Sequence, residues 1–313
     1  MAVKIYTTKA SVTLRINKGD IKNISKPILK KIVAIIEIDD CVLNMAKFLK
    51  MLEQKATNFQ KLGIGQSQIK KVIAIAQQVV DERKYLIELF NNTCGKSWVT
   101  YEYKIEKENR KGRNWCTTAS LNDWYGVYTK YIPMIIDNIL VRAKRVYLLD
   151  LTYNNLHGNY EYQINGKMPD DIEKLKYLEE LYLQNNFLTN SLPSTLGNLR
   201  KLKYLHLEFN QIMGALPHLD NMDSLEELYL DHNRLEDSII ELTKLKKLKK
   251  CHIYHNKFSG KVPEELADKK DLTEFKFYNN YMQIGSKVQA RIKSDSGWQG
   301  RTNSERPAHI VYE

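Results

Sequence analysis

The amino-acid sequence predicts an α/β solenoid, in which stacked repeats build a parallel and concave sheet of about six strands, preceded by a mainly helical N-terminal domain. An 11-residue frame, LxxLxLxxNxL, occurs six times after residue 145, and successive copies begin 32, 24, 23, 23 and 24 residues apart. A near-constant period of this size is the signature of a repeat solenoid. Before residue 96, apolar residues instead follow the spacing of helix faces.

The composition is that of a globular protein, with 43% hydrophobic and 27% charged residues in a chain of 313. No apolar run in the sequence reaches the roughly 18 residues that a membrane span needs. The first residues, MAVKIYTTKASVTLRINKG, lack the apolar core of a signal peptide. Four cysteines occur without the spacing of zinc ligands. We therefore expect a cytoplasmic protein without a transmembrane segment, a metal ion or a cofactor.

The N-terminal domain, residues 1–95, is predicted to be a helical hairpin or a three-helix bundle with short strands near residues 3–16. One apolar stripe runs over residues 42–59, and the stretch GIGQSQ separates it from a second stripe. The second stripe consists of Ile69, Ile73, Ala76, Val80, Ile87 and Phe90. An earlier helix is predicted to begin near Ser25 and Pro27 and to bury Ile28, Ile32, Ile35 and Ile36.

Positive charge is concentrated before the repeats. Residues 1–141 contain 23 basic and 13 acidic side chains, whereas residues 142–282 contain 20 and 21. Residues 96–114 form a charged connection between the two domains. One hypothesis is that the N-terminal domain binds an acidic partner, nucleic acid or a membrane surface. The simpler hypothesis is that these lysines only form a solvated exterior.

Each repeat can be interpreted from its physical requirements. The segment xxLxLxx is a short strand whose leucines point inward, and neighbouring repeats must stack to bury them. The ninth position of the frame is always asparagine, which follows the strand where the chain turns. An amide side chain can both donate to and accept from the backbone groups of that turn. We therefore predict a structural role for Asn154, Asn186, Asn210, Asn233, Asn256 and Asn280.

Taken together, these features resemble the leucine-rich repeat family. The tails TNSLPSTLGNL, MGALPHLDNM and SGKVPEELADK are similar to those of the plant-type repeat of about 24 residues. The stretch NWCTTASLNDWYGV resembles the N-terminal cap of such arrays, with Trp115, Trp124, Gly126 and Val127 at the matching places. The resemblance implies a repeat domain over residues 115–282. No cysteine follows Cys116 before the first repeat, which argues against a cap disulfide and against secretion.

After the last repeat, residues 283–313 are predicted to be a C-terminal cap and tail. The last strand would otherwise expose an unpaired edge. The stretch IGSKVQARIK predicts a short capping helix that uses Ile284, Val288 and Ile292, and the remaining residues read as irregular.

The outward-facing positions of the strands indicate function. A merely solvated sheet favours Lys, Glu, Thr and Ser, whereas these positions are rich in Tyr and His. Tyrosine combines a large contact area with a hydroxyl group at low entropic cost, as binding surfaces require. We predict a non-enzymatic module that binds a protein or peptide partner on its concave face; the oligomeric state is left open. The predicted binding residues are Tyr153, Tyr182, Tyr204, His206, Glu208, Phe209, Tyr229, Asp231, His232, His252, Tyr254, His255 and Tyr278.

One part of this face has a second interpretation. Asp231, His232, His252 and His255 fall on neighbouring repeats and have the chemistry of a metal or hydrolytic site. Such a site would be open and shallow, so it is the weaker alternative. A pH-sensitive interface is a further alternative, because histidine titrates near neutrality.

Overall fold

The computed structural model describes residues 4–7, 34–38, 63–95, 115–116, 120–137, 139–159 and 164–300. The chain divides into two compact units. The first consists of residues 1–86 and 114–147, and the second of residues 87–113 and 148–313. The charged connection over residues 96–114 and the apolar stripe over residues 42–59 lie outside the described residues, as do Ser25 and Pro27.

The first unit combines one long helix with a small sheet. The elements are β1 Lys4–Thr7, β2 Ala34–Ile38, α1 Gln66–Asn92, β3 Val127–Ile136 and β4 Ile139–Asp150. Strands β1 and β2 pair antiparallel, β2 and β4 pair parallel, and β3 pairs with β4. Residues 148–150 at the end of β4 belong to the second unit, as do residues 87–92 at the end of α1.

The core of this unit lies between α1 and the sheet, and the helical hairpin or three-helix bundle stays a prediction because most of residues 1–62 lie outside the described residues. The prediction that Ile35 and Ile36 belong to a helix is wrong, because residues 34–38 form β2. The sequence AIIEI is rich in β-branched residues, which suit a strand, and the alternate residues Ile36 and Ile38 are buried. The strand prediction for residues 3–16 is confirmed at β1.

The helix predicted from the second stripe is confirmed, but its buried face lies about one residue away from the predicted one. Val72, Ile75, Ala76 and Val79 are buried in the core, whereas Ile69, Ile73 and Val80 are only partly buried. Apolar residues occupy more than one face of α1, and the position of the sheet decides which face is covered. No helix among the described residues is long and apolar enough to cross a membrane.

Charged residues complete the buried side of α1. Arg145 Nε donates to Glu82 Oε1 at 2.7 Å, and the backbone N–H of Val146 donates to Glu82 Oε2 at 3.1 Å. The Arg83 guanidinium lies 4.6 Å from the ring centroid of Trp124. A buried charge is tolerated when it is paired and hydrogen-bonded. The second apolar stripe has Arg83 between Val80 and Ile87, and the contact with Trp124 explains why an arginine is tolerated there.

The second unit contains the parallel sheet that the repeats predict. Its strands after β4 are β7 Glu180–Tyr182, β8 Tyr204–His206, β10 Glu227–Tyr229, β12 Lys250–His252, β14 Glu274–Lys276 and β16 Trp298–Gln299. The last residues of β4 pair with β7, and the order continues through β8, β10, β12, β14 and β16. The six predicted strands are confirmed as the end of β4 and the next five strands, and β16 is an additional one.

Shorter elements complete each repeat. A two-stranded hairpin occupies the insertion after the first repeat strand, and a second parallel sheet has the order β15, β13, β11, β9. Its strands are β9 Met213–Gly214, β11 Arg234–Asp237, β13 Lys257–Lys261 and β15 Tyr281–Gln283, and the hairpin is β5 Gly158–Asn159 with β6 Ile164–Asn165. Short 3-10 helices lie at Ile172–Lys174, Leu196–Asn198, Ile240–Lys244 and Glu264–Asp268.

The asparagine column has the predicted structural role in the inner repeats. Asn210 Nδ2 donates to the carbonyl oxygens of Leu183 and Leu207 at 3.0 Å each, and its Oδ1 accepts from the N–H of Leu188 at 2.9 Å. Each such side chain therefore joins its own strand to the preceding repeat. Asn154, in the first repeat, is the exception, since neither polar atom of its buried side chain has a partner among the described residues.

The C-terminal cap is confirmed at its helix. Helix α2, Ser286–Ser294, buries Val288 completely. The prediction of irregular structure after α2 is wrong for β16, which pairs with β14. Trp298 Nε1 donates to the carbonyl oxygen of Leu272 at 3.0 Å, so this residue is fixed on the last repeat. Strand pairing satisfies the backbone groups of β14, a requirement that local sequence does not reveal.

Candidate functional site

The concave face is here the side of the parallel sheet that carries positions three, five, seven and eight of the frame. In β7, β8, β10, β12 and β14 the middle residue is buried and its two neighbours are half-buried, as alternation requires. The structure places the predicted residues on this face at position three (Tyr204), position five (Tyr182, His206, Tyr229, His252), position seven (Glu208, Asp231, Tyr254, Tyr278) and position eight (Tyr153, Phe209, His232, His255).

Position five forms a continuous row of rings, which we call the tyrosine–histidine row: Tyr182, His206, Tyr229 and His252. Their successive ring centroids are 5.0, 4.3 and 4.2 Å apart. The Tyr229 and His252 rings are stacked with an interplanar angle of 10°. Parallel strands lie about 4.8 Å apart, so rings at the same position of adjacent repeats meet face to face.

Position eight forms the phenylalanine–histidine row: Phe209, His232 and His255. Phe209 stacks on His232 with centroids 4.1 Å apart, and His232 stacks on His255 at 4.5 Å. Phe209 remains 46% exposed. Tyr254, at position seven, lies beside both rows: its ring centroid is 5.9 Å from that of His252 and 5.2 Å from that of His232. The structure therefore brings most of the predicted aromatic and histidine residues into one contiguous surface.

Sequence reasoning missed the backbone conformation of position eight. All six residues there have positive φ, between 52° and 56°: Tyr153, Asn185, Phe209, His232, His255 and Asn279. Asparagine and glycine adopt this left-handed region most readily, whereas bulky side chains do so at a cost. Two of the six are asparagines, which is the only signal in the sequence. The other four positions hold rings despite this preference.

Two carboxylates lie at position seven of adjacent repeats. Asp231 is only 2% exposed and accepts a hydrogen bond from His232 Nδ1 at 2.9 Å, and the Tyr254 hydroxyl lies close to it. Glu208 has one carboxylate oxygen, Oε2, that is shielded from solvent without a partner among the described residues. Burial raises the pKa of Glu208 to about 7, and the nearby Asp231 charge adds to the effect. Glu208 is therefore partly protonated near neutral pH.

The histidines of position five are held in the neutral form. Burial lowers the pKa of His206 and of His252 below the usual value, although a glutamate lies beside each. His252 Nε2 is 2.9 Å from Glu274 Oε1, and His206 Nε2 is 3.8 Å from Glu227 Oε2. Burial also raises the pKa of the Tyr182, Tyr229 and Tyr254 hydroxyls. Near neutral pH the row therefore consists mainly of uncharged rings.

The alternative metal or hydrolytic site does not fit this geometry. His252 pairs with Glu274 rather than with Asp231. The His232 and His255 rings are stacked with an interplanar angle of 25°, so their in-plane lone pairs do not converge on one ion. Metal ligands must instead surround a single point. Only the pairing of Asp231 with His232 remains of that proposed group.

A separate group, not predicted from the sequence, contains His218, Asp220 and Glu241, whose ligand atoms lie within 4.8 Å of one another. Its members come from two repeats, so no local motif reveals it. Glu241 Oε2 accepts from the backbone N–H of Leu219 at 3.0 Å, and Asp220 pairs with Lys244 at 3.3 Å. These contacts already compensate both carboxylates, and the group is best explained as a link between repeats.

Comparison with known proteins agrees with the repeat pattern. The family model described as a leucine-rich repeat region matches residues 146–291. This part of the chain is a leucine-rich repeat region. A probable LRR receptor-like serine/threonine-protein kinase of Arabidopsis thaliana is 43% identical over 54 residues, which are 17% of this chain and 6% of that protein. The chain thus spans a small part of this curated relative.

Two solved structures that are similar to part of the chain are the following. The LRR ectodomain of the receptor kinase SOBIR1 is 28% identical, with a TM-score of 0.45, over 51% of this chain and 82% of that one. PEPR1 in its complex with AtPEP1 is 26% identical, with a TM-score of 0.48, over 64% of this chain and 25% of that one.

The curated relative overturns the prediction of a cytoplasmic protein, which is wrong, because that relative is named a probable receptor-like kinase. The prediction depended on absences in the sequence, among them that of a second cysteine in the cap. The missing cysteine does not constrain the compartment, because the repeats stack through leucines and asparagines whether or not a cap disulfide is present.

Proposed function

We propose that this chain is a non-enzymatic interaction module that holds a protein or peptide partner on its concave face. The observation that carries the proposal is the contiguous ring surface formed by the tyrosine–histidine row, the phenylalanine–histidine row and Tyr254. Stacked repeats create extended surfaces suited to a partner segment. Aromatic rings at such a surface combine apolar contact with hydrogen-bonding groups.

Order within the rows supports binding. Each inner ring is held by the rings of the adjacent repeats, with centroid distances between 4.1 and 4.5 Å for Phe209–His232, His206–Tyr229, Tyr229–His252 and His232–His255. A side chain that is already ordered loses little entropy when a partner covers it. The parts of these rings that remain exposed to solvent therefore offer contact area at a low entropic cost.

The retention of rings at position eight supports the same proposal. Asparagine fits the left-handed backbone of this position, as Asn185 and Asn279 show, and it would serve the fold at least as well. Phe209, His232 and His255 meet no requirement of the backbone turn. A binding role accounts for bulky side chains at positions that disfavour them.

The proposed acidic partner of the N-terminal domain remains a prediction from charge alone, since many of its basic residues lie outside the described residues. It is a secondary proposal, and the oligomeric state is left open with it.

Selection of random displayed peptides on the immobilised full chain tests the main proposal. Enriched peptides are measured on wild type and on the triple asparagine variant, Phe209→Asn, His232→Asn and His255→Asn. Asparagine suits the left-handed backbone, so the variant removes rings without imposing strain. We expect affinity to fall at least about tenfold, because each ring contributes contact area that the amide cannot replace.

The matched control removes exposed apolar side chains away from the concave face. Met213, Ile240 and Tyr281 are 41%, 48% and 52% exposed, and Met213→Thr, Ile240→Thr and Tyr281→Thr should leave peptide binding unchanged. Enriched peptides that bind wild type and the triple asparagine variant equally, or that are lost with the control, would overturn the concave-face proposal.

A further inference from the structure

The concave face carries more negative than positive charge. In the second to sixth repeats, its formal cations are Lys250 and Lys276 and its carboxylates are Glu180, Glu208, Glu227, Asp231 and Glu274. Lys250 Nζ lies 3.1 Å from Glu227 Oε1, and Lys276 Nζ lies 2.6 Å from Glu274 Oε1. Both lysines are thus already paired with glutamates of position three. The surplus negative charge is concentrated at position seven.

Glu208 and Asp231 have no lysine or arginine partner among the described residues. Glu180, at position three, accepts a hydrogen bond from the Tyr182 hydroxyl at 2.9 Å. Asp231 is contacted by His232 and Tyr254, and one oxygen of Glu208 has no partner in the described part of the chain. Two carboxylates on adjacent strands repel each other unless a cation or a proton intervenes.

The two carboxylates lie between the two ring rows, because position seven falls between positions five and eight. Backbone rungs fix them side by side: Leu207 N–H donates to Tyr229 O at 2.9 Å, and Phe209 N–H donates to Asp231 O at 3.0 Å. On one side are the rings of His206 and Tyr229, and on the other are those of Phe209 and His232. Because these rings stack along their rows, the combination is a negative strip bordered by ring edges.

An arginine side chain has the chemistry that this strip lacks. Its guanidinium is planar, presents several N–H donors in a fixed plane and stacks on aromatic rings. It is more weakly hydrated than the lysine ammonium, so it loses less on entering a surface bordered by rings. A nucleic acid is disfavoured by the surplus negative charge.

Resting on the proposed function, we propose that the bound partner segment contains an arginine whose guanidinium enters between the two ring rows and pairs with the half-buried Glu208. The rings border the guanidinium, Glu208 accepts its hydrogen bonds, and the buried charge of Asp231 beside Glu208 adds to the attraction. The partner is therefore a peptide or a protein loop with at least one exposed arginine.

A proton accompanies this contact. Burial, together with the nearby Asp231 charge, raises the pKa of Glu208 to about 7, and Tyr229 and Tyr254 also face the strip. A guanidinium beside Glu208 favours the ionised carboxylate. Binding near neutral pH should therefore release a proton from Glu208 to the buffer.

The peptide selection on the full chain tests the arginine proposal through the residues of the enriched peptides. We expect arginine to be enriched over lysine, and replacement of the enriched arginine by the neutral analogue citrulline should reduce affinity at least about tenfold. Glu208→Gln and Asp231→Asn should each reduce the affinity of the arginine peptide and leave the citrulline peptide nearly unaffected. Glu236→Gln, which removes an exposed carboxylate from β11, should change neither.

The outcomes separate this inference from the proposed function. Peptides that require the ring rows but show no preference for arginine over lysine or citrulline would overturn the arginine site and leave the concave face intact. An arginine preference unchanged in both Glu208→Gln and Asp231→Asn would also overturn it. Peptides indifferent to the triple asparagine variant would overturn both proposals.

Discussion

The asparagine column and the phenylalanine–histidine row occupy successive positions of the same turn, yet they differ in almost every respect. The asparagines are buried, identical in all repeats and hydrogen-bonded to the backbone on both sides in the inner repeats. The rings at position eight are more exposed, vary between repeats and contact one another. The comparison teaches that strict repetition marks a requirement of the fold, whereas variation at a conformationally demanding position marks surface available for a partner.

The largest expected effect is on the asparagine column. Asn210→Ala leaves the Leu188 N–H without its acceptor and removes one of the two amide donors to the carbonyl oxygens of Leu183 and Leu207, so the free energy of unfolding should fall by about 2–3 kcal/mol. Urea denaturation of the full chain measures it. Asn154→Ala is the control, because that side chain has no hydrogen-bond partner among the described residues, and it should cost less than about 1 kcal/mol. Equal losses for the two variants would contradict the structural role.

The next effect is that of pH on Glu208. Its pKa in the folded chain, about 7, lies above the ordinary 4.5, so the folded chain binds this proton more tightly than the unfolded chain. The stabilisation is complete below pH 4.5 and is lost as the pH rises through 7. Glu208→Gln mimics the protonated form and should be more stable than wild type at pH 8, by about 1–2 kcal/mol after allowance for partial exposure.

The control for this prediction is again Glu236→Gln, whose side chain is exposed in β11. Its stability relative to wild type should not change between pH 5 and pH 8. A Glu208→Gln variant that shows the same flat profile in urea denaturation would mean that Glu208 is solvated and ordinary.

The smallest effect concerns the backbone at position eight. Phe209→Asn should change the free energy of unfolding by less than about 1 kcal/mol, because lost stacking on His232 is offset by relief of the left-handed strain. Phe209→Val places a β-branched residue at the same positive φ and should be less stable than Phe209→Asn by about 1 kcal/mol or more. Thermal or urea denaturation of both variants decides it, and the reverse order would contradict the strain argument.

The repeats were predictable because their information is local and repeated. A leucine at a fixed offset is buried in every copy, and each inner asparagine makes the same contacts, so six weak signals add up. The N-terminal unit offers no such repetition. Helical spacing predicts that Ile35 and Ile36 lie in a helix. Pairing with β1 and β4 instead makes residues 34–38 a strand. A short apolar run does not distinguish the two.

The sequence by itself determined the stacking, the structural asparagines, the capping helix α2 and the residues that face outward, because alternation and period follow from backbone geometry. Tertiary structure decided the rest: which face of α1 is covered, that Trp298 lies in an added strand, that the rings at positions five and eight stack, and that Glu208 and Asp231 lie side by side. The ring stacks and the pair of carboxylates depend on distances between residues about 23 positions apart, which only the stacking of the repeats establishes.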